Sequence, residues 1–409
     1  MSLVIGMNSG SSFDGIDVVL VRIDIGSDGQ PTKPEVIKGI GHEWPEAVSK
    51  LVLRAFANDL SIFELTRLNY LAGAVFAEAA MDLMDRAGVS SDEVGLIGVD
   101  GQTIYQEPPS GRRLGEATVG PLHGPRDIVS YWLDGEYGCG LQIGEPAVIA
   151  SFCDIPVVWN FRPSDHALGG TGAPLMQYLD FVAFRELGPI LTLNIGGIAN
   201  CQLAHSDRSK MMAFDTGPGN VMIDYATRKL LQMPYDRGGS IASGGEINSA
   251  MLARLQEHPF FLRKPPRSAW RLDFGEEYAS RILAEWSNLA TTDLLATLTD
   301  FTAWSIVRSI EDNVSMLDDI SVLIASGGGV FNDFLMSRLR SRFGARLEVA
   351  ISDAFGIPAK YKEAVKFATL AFAYQNRLAN NIPAASGAAK FTVMGKMVLP
   401  PRMARMSYD

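Results

Sequence analysis

Three short glycine-rich segments, each placed directly after a predicted strand, are the residues best suited to hold a phosphorylated ligand. The first spans residues 8–17 and mixes glycines with serines, so that backbone N–H groups and hydroxyls can surround phosphate oxygens. Its candidate nucleotide contacts are Ser9, Gly10, Ser11, Ser12, Asp14 and Gly15. Asp14 is also a candidate ligand for Mg²⁺, which favours carboxylates and water. A simple hairpin turn without a ligand is the alternative interpretation of this segment.

The second and third glycine segments follow later strands. The second leads into a helix that begins near Val221, where free N–H groups form an anion site; the alternative is a plain turn capped by an asparagine. Its candidate nucleotide contacts are Asp215, Thr216, Gly217, Gly219 and Asn220. In the third segment, successive glycines would let a flat adenine ring lie against the backbone, and tight strand–helix packing is the alternative. Its candidate contacts are Gly327, Gly328, Gly329 and Asn332.

Two common phosphate-binding patterns are missing from the sequence. It contains no GxxxxGK followed by serine or threonine, and no GxGxxG follows the first strand. A P-loop or a Rossmann site is therefore not supported. Three separate glycine turns instead indicate a nucleotide held in a cleft between two domains.

Asp165 is the carboxylate whose position best fits acid–base chemistry. It follows the predicted buried strand 155–159, and such strand ends are where α/β proteins gather their site residues. A carboxylate there can act as general base on a water or hydroxyl, and Arg162 could hold an anionic group or orient Asp165. A role for Asp165 as a helix cap or turn residue is the alternative. The glycines expected to keep its surroundings open are Gly169, Gly170 and Gly172.

Gln102 and Thr103 are candidates for contacts with a substrate, together with Asp165 and Gly172, and Glu363 is a further catalytic candidate. Gln102 and Thr103 come just past the predicted strand 94–99, and their amide and hydroxyl groups suit sugar hydroxyls. Stabilisation of their own loop is the alternative. Glu363 opens a strongly apolar helix after Pro358, where a favourable interaction with the helix N-terminus is the commoner role.

The elements that must position these residues alternate between strands and helices. Each half of the chain begins with two strands joined by a glycine turn. In the second half these are the strand 190–195 and its hairpin partner 200–204. Helical spacing of apolar residues follows in both halves. The pattern predicts an α/β fold with two domains and mixed sheets. The predicted domains are residues 1–188, joined by a C-terminal helix at about 361–378, and residues 189–360.

Composition narrows the class of partner. The chain has 409 residues, 47% of them hydrophobic, and a formal net charge of −10, so a large core is expected and nucleic-acid binding is not. No apolar run reaches the roughly 18 residues that cross a bilayer, and no secretory signal opens the sequence. The three cysteines are isolated, which fits a reducing compartment. We therefore expect a cytoplasmic protein without a membrane contact.

Taken together, the motifs resemble those of the anhydro-N-acetylmuramic acid kinase family, which belongs to the actin/hexokinase-like superfamily. The matching blocks run in the family's order over residues 4–375, which is most of the chain. They lie at 9–17, 101–103, 141–146, 161–165, 172–175, 193–200, 214–220, 327–332 and 363–368.

The resemblance implies a fold, a reaction and a set of roles. It implies a two-domain, ribonuclease H-like fold with an interdomain cleft, and ATP-dependent cleavage of a 1,6-anhydro bond with phosphorylation of O6. Asp165 would be the base that activates water, Asp14 and Asp165 would lie near Mg²⁺, and Glu363 would lie close to both. Catalysis would rest on positioning and charge stabilisation, and a homodimer is expected.

The sequence also departs from the family's usual pattern. Serine replaces threonine at Ser11, the Ser-His pair before Gly-Gln-Thr is Val99-Asp100, and the aspartate before Phe-Arg is Asn160. Residues 267–271 lack the usual Thr-Gly-Arg-Glu. Because of Trp270 in this segment and of Asp100, a kinase of another anhydrosugar, such as levoglucosan, stays open as one alternative. An actin-like nucleotide switch and a sugar-binding protein without turnover are the others.

Overall fold

The computed structural model describes residues 2–10, 13, 15–109, 128–133, 135–265, 267, 269 and 271–403, with no side chains for 271 and 272. These residues form two compact units. Unit 1 comprises residues 1–184 and 356–409, and unit 2 comprises residues 185–355. No helix among the described residues is long and apolar enough to cross a membrane.

The strands of the two units are short and rich in β-branched residues. In chain order they are β1 (Ser2–Ser9), β2 (Ile16–Ile23), β3 (Glu35–His42), β4 (Val94–Glu107), β5 (Cys139–Ile143), β6 (Val157–Trp159), β7 (Ile190–Ile195), β8 (Ile198–Ala204), β9 (Met212–Pro218), β10 (Val322–Ser326), β11 (Glu348–Ile351) and β12 (Lys396–Val398).

The helices carry apolar residues at helical spacing, as the sequence predicts. In chain order they are α1 (Glu46–Phe56), α2 (Ile62–Ala87), α3 (Ser130–Leu133), α4 (Pro146–Cys153), α5 (Arg162–His166), α6 (Met176–Phe184), α7 (Val221–Leu231), α8 (Ser249–Gln256), α9 (Arg271–Phe274), α10 (Glu276–Glu285), α11 (Thr291–Asn313), α12 (Asp333–Phe343), α13 (Lys362–Gln375) and α14 (Pro383–Ser386).

Unit 1 is built on a mixed sheet with the strand order β12-β6-β4-β1-β2-β3, in which β5 pairs with β4. Helix α13 lies against β1 and β4, and two glycines make this close approach possible. A Cβ on Gly6 would overlap the carbonyl oxygen of Ala364, and one on Gly98 would overlap that of Phe367. The glycines thereby place the first turn of α13, which carries Glu363, near the ends of these strands.

Unit 2 has a second mixed sheet with the order β11-β10-β7-β8-β9. The predicted hairpin is confirmed, because β7 pairs antiparallel with β8 from Ile190 opposite Ala204 to Ile195 opposite Ala199. Strand β10 lies parallel to β7 on the other side, so the glycine turns that follow β7 and β10 open at the same edge of the sheet. Helix α11 is buried along most of its length against this sheet.

The predicted α/β class with two mixed-sheet units is confirmed. The division points lie a few residues earlier than predicted, after residues 184 and 355 instead of 188 and 360. The chain beyond residue 378 also belongs to unit 1, since β12 pairs antiparallel with β6. The sequence offered no clear signal for that placement.

Candidate active site

Asp165 lies in the short helix α5, just after β6, and is 1% exposed. Its carboxylate accepts hydrogen bonds from three residues of unit 1. Oδ2 accepts from the backbone N–H of Gly172 at 2.9 Å, and Oδ1 accepts from the hydroxyl of Ser386 at 2.8 Å and from Nδ2 of Asn381 at 3.4 Å. The carboxylate is therefore held in one orientation and does not cap a helix.

The glycines after Asp165 have a different role from the one predicted. A Cβ on Gly170 would overlap Oδ2 of Asp165, and one on Gly172 would overlap the ring of His166. Gly169 and Gly172 have φ values of 78° and 64°, in the left-handed region that favours glycine. The expectation that these glycines leave open space is wrong: they let the loop close tightly on the carboxylate.

Arg162 is held by an ion pair within unit 1. Its Nε donates to Oδ2 of Asp100 at 2.7 Å, and its Nη1 donates to the carbonyl oxygen of Gly172 at 2.9 Å. Asp100 is 2% exposed and also accepts from the backbone N–H of Phe161. The Gly172 peptide thus links Arg162 on one side to Asp165 on the other, which favours an orienting role for Arg162 over binding of an external anion.

Glu363 lies in the first turn of α13, where the helix N-terminus favours a negative charge. Its side chain is 40% exposed, and Oε2 lies 3.9 Å from Nζ of Lys366. Burial lowers the pKa of Lys366, and the Glu363 carboxylate opposes that shift. A second lysine of this turn, Lys362, forms a buried ion pair with Asp180 at 2.8 Å.

The first glycine turn is tied to strand β4 through Ser9 and Gln102. The Ser9 hydroxyl donates to Oε1 of Gln102 at 2.6 Å and accepts from Nε1 of Trp44 at 3.1 Å. Gln102 is fully buried, so its side chain serves the turn and presents no group at the surface. Gly10 accepts the turn hydrogen bond from the backbone N–H of Phe13, and Gly15 has a φ of 147°. The other candidates in this turn, Ser11, Ser12 and Asp14, lie outside the described residues.

A row of polar side chains along the paired strands β4 and β5 includes Thr103 and two residues that sequence reasoning missed. Nε2 of Gln142 donates to Oγ1 of Thr103 at 3.4 Å, and Nε2 of Gln106 donates to the carbonyl oxygen of Thr171 at 3.1 Å. Gln106 also lies 2.9 Å from Nε2 of His166. The signal was the length of the strand: β4 runs on to Glu107, well past the predicted end at residue 99.

The second glycine segment folds against the turn that follows β7. A Cβ on Gly219 would overlap the carbonyl oxygen of Gly196, and the backbone N–H of Asn220 donates to that oxygen at 2.8 Å. Gly217 has a φ of 138°, and Thr216 is fully buried with its hydroxyl on the carbonyl oxygen of Ala199. The two turns form one glycine-lined surface at the start of α7.

Asn220 occupies the position before α7 without capping it through its side chain. Its Nδ2 instead donates to the carbonyl oxygen of Ile195 at 3.4 Å. The backbone N–H of Val221, the first residue of α7, donates to the carbonyl oxygen of Gly197 at 3.1 Å, so an anion would have to meet the N–H groups that follow it in the helix, and the anion site stays a prediction.

The third glycine segment packs on the end of β7 from the other side. Gly327 has a φ of 84°, and a Cβ there would lie 2.6 Å from Oδ1 of Asn194. A Cβ on Gly329 would overlap the side chain of Ile195. A Cβ on Gly328 would have no atom closer than 4.0 Å among the described residues. Asn332 caps α12, because its Oδ1 accepts from the backbone N–H of Leu335 at 2.9 Å. Close packing accounts for Gly327 and Gly329, and Gly328 is the exposed backbone of the three.

Arg267 is a residue of unit 2 that sequence reasoning also missed. Its Nε donates to the carbonyl oxygen of Asp215 at 3.0 Å, and its Nη2 donates to the hydroxyl of Ser309 at 2.5 Å. Ser309 in turn donates to the carbonyl oxygen of Thr216 at 2.7 Å. Arg267, the first residue of the segment that departs from the family pattern, therefore supports the second glycine segment. Ser268 and Trp270 lie outside the described residues.

The carboxyl of Asp215 predicts that the stability of unit 2 depends on pH. Burial raises the pKa of its carboxyl to about 7, although the backbone N–H of Ala269, 2.7 Å away, favours the ionised form. Between about pH 4 and pH 7 the folded chain keeps a proton that the unfolded chain has released, so stability falls as pH rises through this window. We expect Asp215→Asn to flatten that fall, measured by urea unfolding at about pH 5 and about pH 7.

The control for this prediction is Asp318→Asn, at an exposed carboxylate of the same unit. It should keep the wild-type dependence on pH. Equal slopes for wild type and Asp215→Asn would contradict the assignment.

The described residues do not contain a group of three or more histidine, cysteine, aspartate or glutamate side chains arranged to hold a metal. Mg²⁺ bound with a nucleotide needs only one or two carboxylates, because phosphates and water supply its other ligands. Asp165 fits as one of them, since Oδ2 has a single donor among the described residues.

Comparison with known proteins gives one family over almost the whole chain. The family model described as anhydro-N-acetylmuramic acid kinase matches residues 2–120 and 114–400. A protein of that name from Bacillus cereus (strain AH187) is 36% identical over 405 residues, covering 97% of this chain and 99% of the relative. Another, from Caldanaerobacter subterraneus subsp. tengcongensis, is 36% identical and covers 97% of each chain.

Solved structures that resemble the chain are distant. Component A of (R)-2-hydroxyglutaryl-CoA dehydratase from Acidaminococcus fermentans matches with a TM-score of 0.41 and 12% identity, over 91% of this chain and 98% of that one. The ethanolamine utilization protein EutJ from Carboxydothermus hydrogenoformans matches with a TM-score of 0.35 and 11% identity, over 90% and 89%. At this distance nothing about function follows.

Proposed function

The chain belongs to the anhydro-N-acetylmuramic acid kinase family, and from this premise we propose that it opens a 1,6-anhydro sugar with water and transfers phosphate from ATP to O6. The products are the 6-phosphosugar, here N-acetylmuramic acid 6-phosphate, and ADP. The observation that carries the proposal is the fixed carboxylate of Asp165, directly after β6.

In this reaction Asp165 acts as the general base. Oδ2 takes a proton from the water whose oxygen forms a bond to C1, while the bond between C1 and O6 breaks. The O6 atom that is released forms a bond to the γ-phosphorus, and ADP leaves. Oδ2 suits this task because it has one internal donor, the Gly172 N–H, and an acceptor site to spare.

The glycine segments would bind the nucleotide. We assign the phosphates to the Ser9–Gly15 turn and to the segment from Asp215 to Asn220, where backbone N–H groups favour negative charge. The segment from Gly327 to Asn332 would take the adenosine side, with Gly328 as its exposed backbone. Mg²⁺, when bound near Asp14 and Asp165, would neutralise charge on the phosphates.

The residues around Asp165 would divide the remaining tasks. Arg162 orients the loop, because two of its nitrogens are already used by Asp100 and Gly172. Thr103, in the polar row of β4, would contact the sugar, whereas the buried Gln102 would support the Ser9 turn. Glu363, partly exposed at the start of α13, would act near the base and the metal.

One of the two arguments for a kinase of another anhydrosugar is weakened by the position of Asp100. That argument rested on an anion at position 100, but Asp100 is buried and paired with Arg162. Its charge is thereby balanced inside unit 1 and does not reach a substrate.

The test is a panel of 1,6-anhydrosugars with ATP and Mg²⁺, followed by mass analysis. We expect anhydro-N-acetylmuramic acid to give a product that is heavier than the sugar by one phosphoryl group (HPO3) and one water molecule. The added water distinguishes ring opening from phosphorylation without hydrolysis. Phosphorylation of levoglucosan alone would contradict the substrate, and ADP release that ignores every sugar would contradict the reaction.

Two further expectations go with this proposal. A homodimer, implied by the family resemblance, would be tested by light scattering after size exclusion. A cytoplasmic location would be tested by cell fractionation.

A further inference from the structure

The chain beyond α13 folds back onto the loop that carries Asp165. Residues 379–394, which we call the C-terminal arm, include α14 and lie along residues 165–172. The carbonyl oxygen of Ser386 accepts from the backbone N–H of Thr171 at 2.9 Å, and the backbone N–H of Ala389 donates to the carbonyl oxygen of Leu168 at 2.9 Å. These backbone contacts fix the arm to the loop at Ser386, which is a partner of Asp165, and at Ala389.

The arm supplies both donors to one oxygen of the carboxylate. The Ser386 hydroxyl lies 2.8 Å from Oδ1 of Asp165, and Nδ2 of Asn381 lies 3.4 Å from the same atom. Ser386 is 6% exposed and Asn381 is 3% exposed, so water does not compete freely for these contacts. Asn381 is fixed in turn, since its Oδ1 accepts from the backbone N–H of Thr392 at 2.8 Å.

The arm is also anchored to the helix that carries Glu363. Nδ2 of the fully buried Asn380 donates to the carbonyl oxygen of Leu370, in α13, at 3.0 Å. The same nitrogen donates to the carbonyl oxygen of Met394 at 3.1 Å, and Oδ1 of Asn380 accepts from the backbone N–H of Met394 at 2.6 Å. The arm is therefore a rigid link between α13 and the Asp165 loop.

We propose that Ser386 is a positioning residue for the reaction: its hydroxyl on Oδ1 of Asp165, together with the Gly172 N–H on Oδ2, fixes the plane of the carboxylate that takes the proton from water. This role rests on the proposed function of Asp165. It predicts that the hydroxyl matters, because alanine in its place leaves Oδ1 with the longer contact from Asn381, so that the plane of the carboxylate is held less firmly.

The test compares Ser386→Ala with Ser386→Thr, which keeps a hydroxyl, and with Lys390→Ala, which removes an exposed side chain of the same arm. We expect Ser386→Ala to lower kcat about tenfold or more with the KM for ATP unchanged. Ser386→Thr should recover most of the loss, and Lys390→Ala should behave as wild type. A role in packing alone would not separate alanine from threonine in this way.

A second measurement does not depend on turnover. Hydrogen–deuterium exchange should rise within residues 165–173 in Ser386→Ala, compared with wild type and Lys390→Ala, and stay unchanged in unit 2. Wild-type kcat in an active Ser386→Ala protein, or unchanged exchange in the loop, would overturn the proposal. If wild type phosphorylates no sugar, the proposed function fails, and local opening in the exchange experiment still decides whether Ser386 fixes the loop.

Discussion

Asparagine at position 165 should lower turnover by about 10²- to 10⁴-fold, the usual contribution of a general base. The substitution keeps the shape of the side chain and an oxygen for the Gly172 N–H, 2.9 Å away in wild type. An amide cannot take a proton from water, so the step that opens the anhydro ring loses its base. ADP release coupled to sugar, measured together with calorimetric binding of an ATP analogue, should show the loss in turnover alone.

The matched control for this change is Asp59→Asn, at an exposed carboxylate of unit 1 that pairs with Arg54. Exposed pairs contribute little, so this variant should have wild-type turnover. Full activity of Asp165→Asn would remove Asp165 from the mechanism, and loss of nucleotide binding would show that the site as a whole had been disturbed.

The buried pair of Asp100 and Arg162 should contribute strongly to stability. Removing one partner of a buried ion pair costs about 3–5 kcal/mol, because the other charge stays buried without compensation. Asp100 is 2% exposed and would keep only the N–H of Phe161 after Arg162→Leu. We expect Arg162→Leu and Asp100→Asn each to lower the free energy of unfolding in urea, and the double variant to lose less than the sum.

The pair of Arg22 and Glu35, also in unit 1, provides the comparison. Both side chains are largely exposed, at 41% and 65%, and a surface pair is worth at most about 1 kcal/mol. Arg22→Leu should therefore have a small effect. A cost below about 1 kcal/mol for Arg162→Leu, or strict additivity in the double variant, would contradict the coupling described between Asp100 and the Asp165 loop.

The parts of the fold that depend on local sequence patterns were predicted correctly. The apolar run 190–195 with its partner 200–204 became the hairpin of β7 and β8, and the strongly apolar helix expected at about 361–378 became α13. These features are readable because they depend on neighbours in sequence. The third glycine segment was also placed correctly after a strand; close packing accounts for Gly327 and Gly329, and contact of adenine with the backbone stays a prediction.

Contacts between distant residues were not readable. Asp100 and Arg162 are 62 residues apart, and Asp165 and Ser386 are 221 apart, so no spacing rule connects them. The glycines after Asp165 were misinterpreted for a different reason. Glycine permits both open space and close approach, and here a Cβ on Gly170 would overlap the carboxylate of Asp165 and one on Gly172 the ring of His166.

The position of the C-terminal arm has a consequence for biosynthesis. A ribosome adds Asp165 long before Ser386 and Asn381. These two donors can therefore reach the carboxylate only late in synthesis. Sheet strands β1 to β6 can begin pairing much earlier, apart from the contribution of β12. A chain that ended before residue 379 would keep its glycine segments and lack the two described donors to Oδ1 of Asp165.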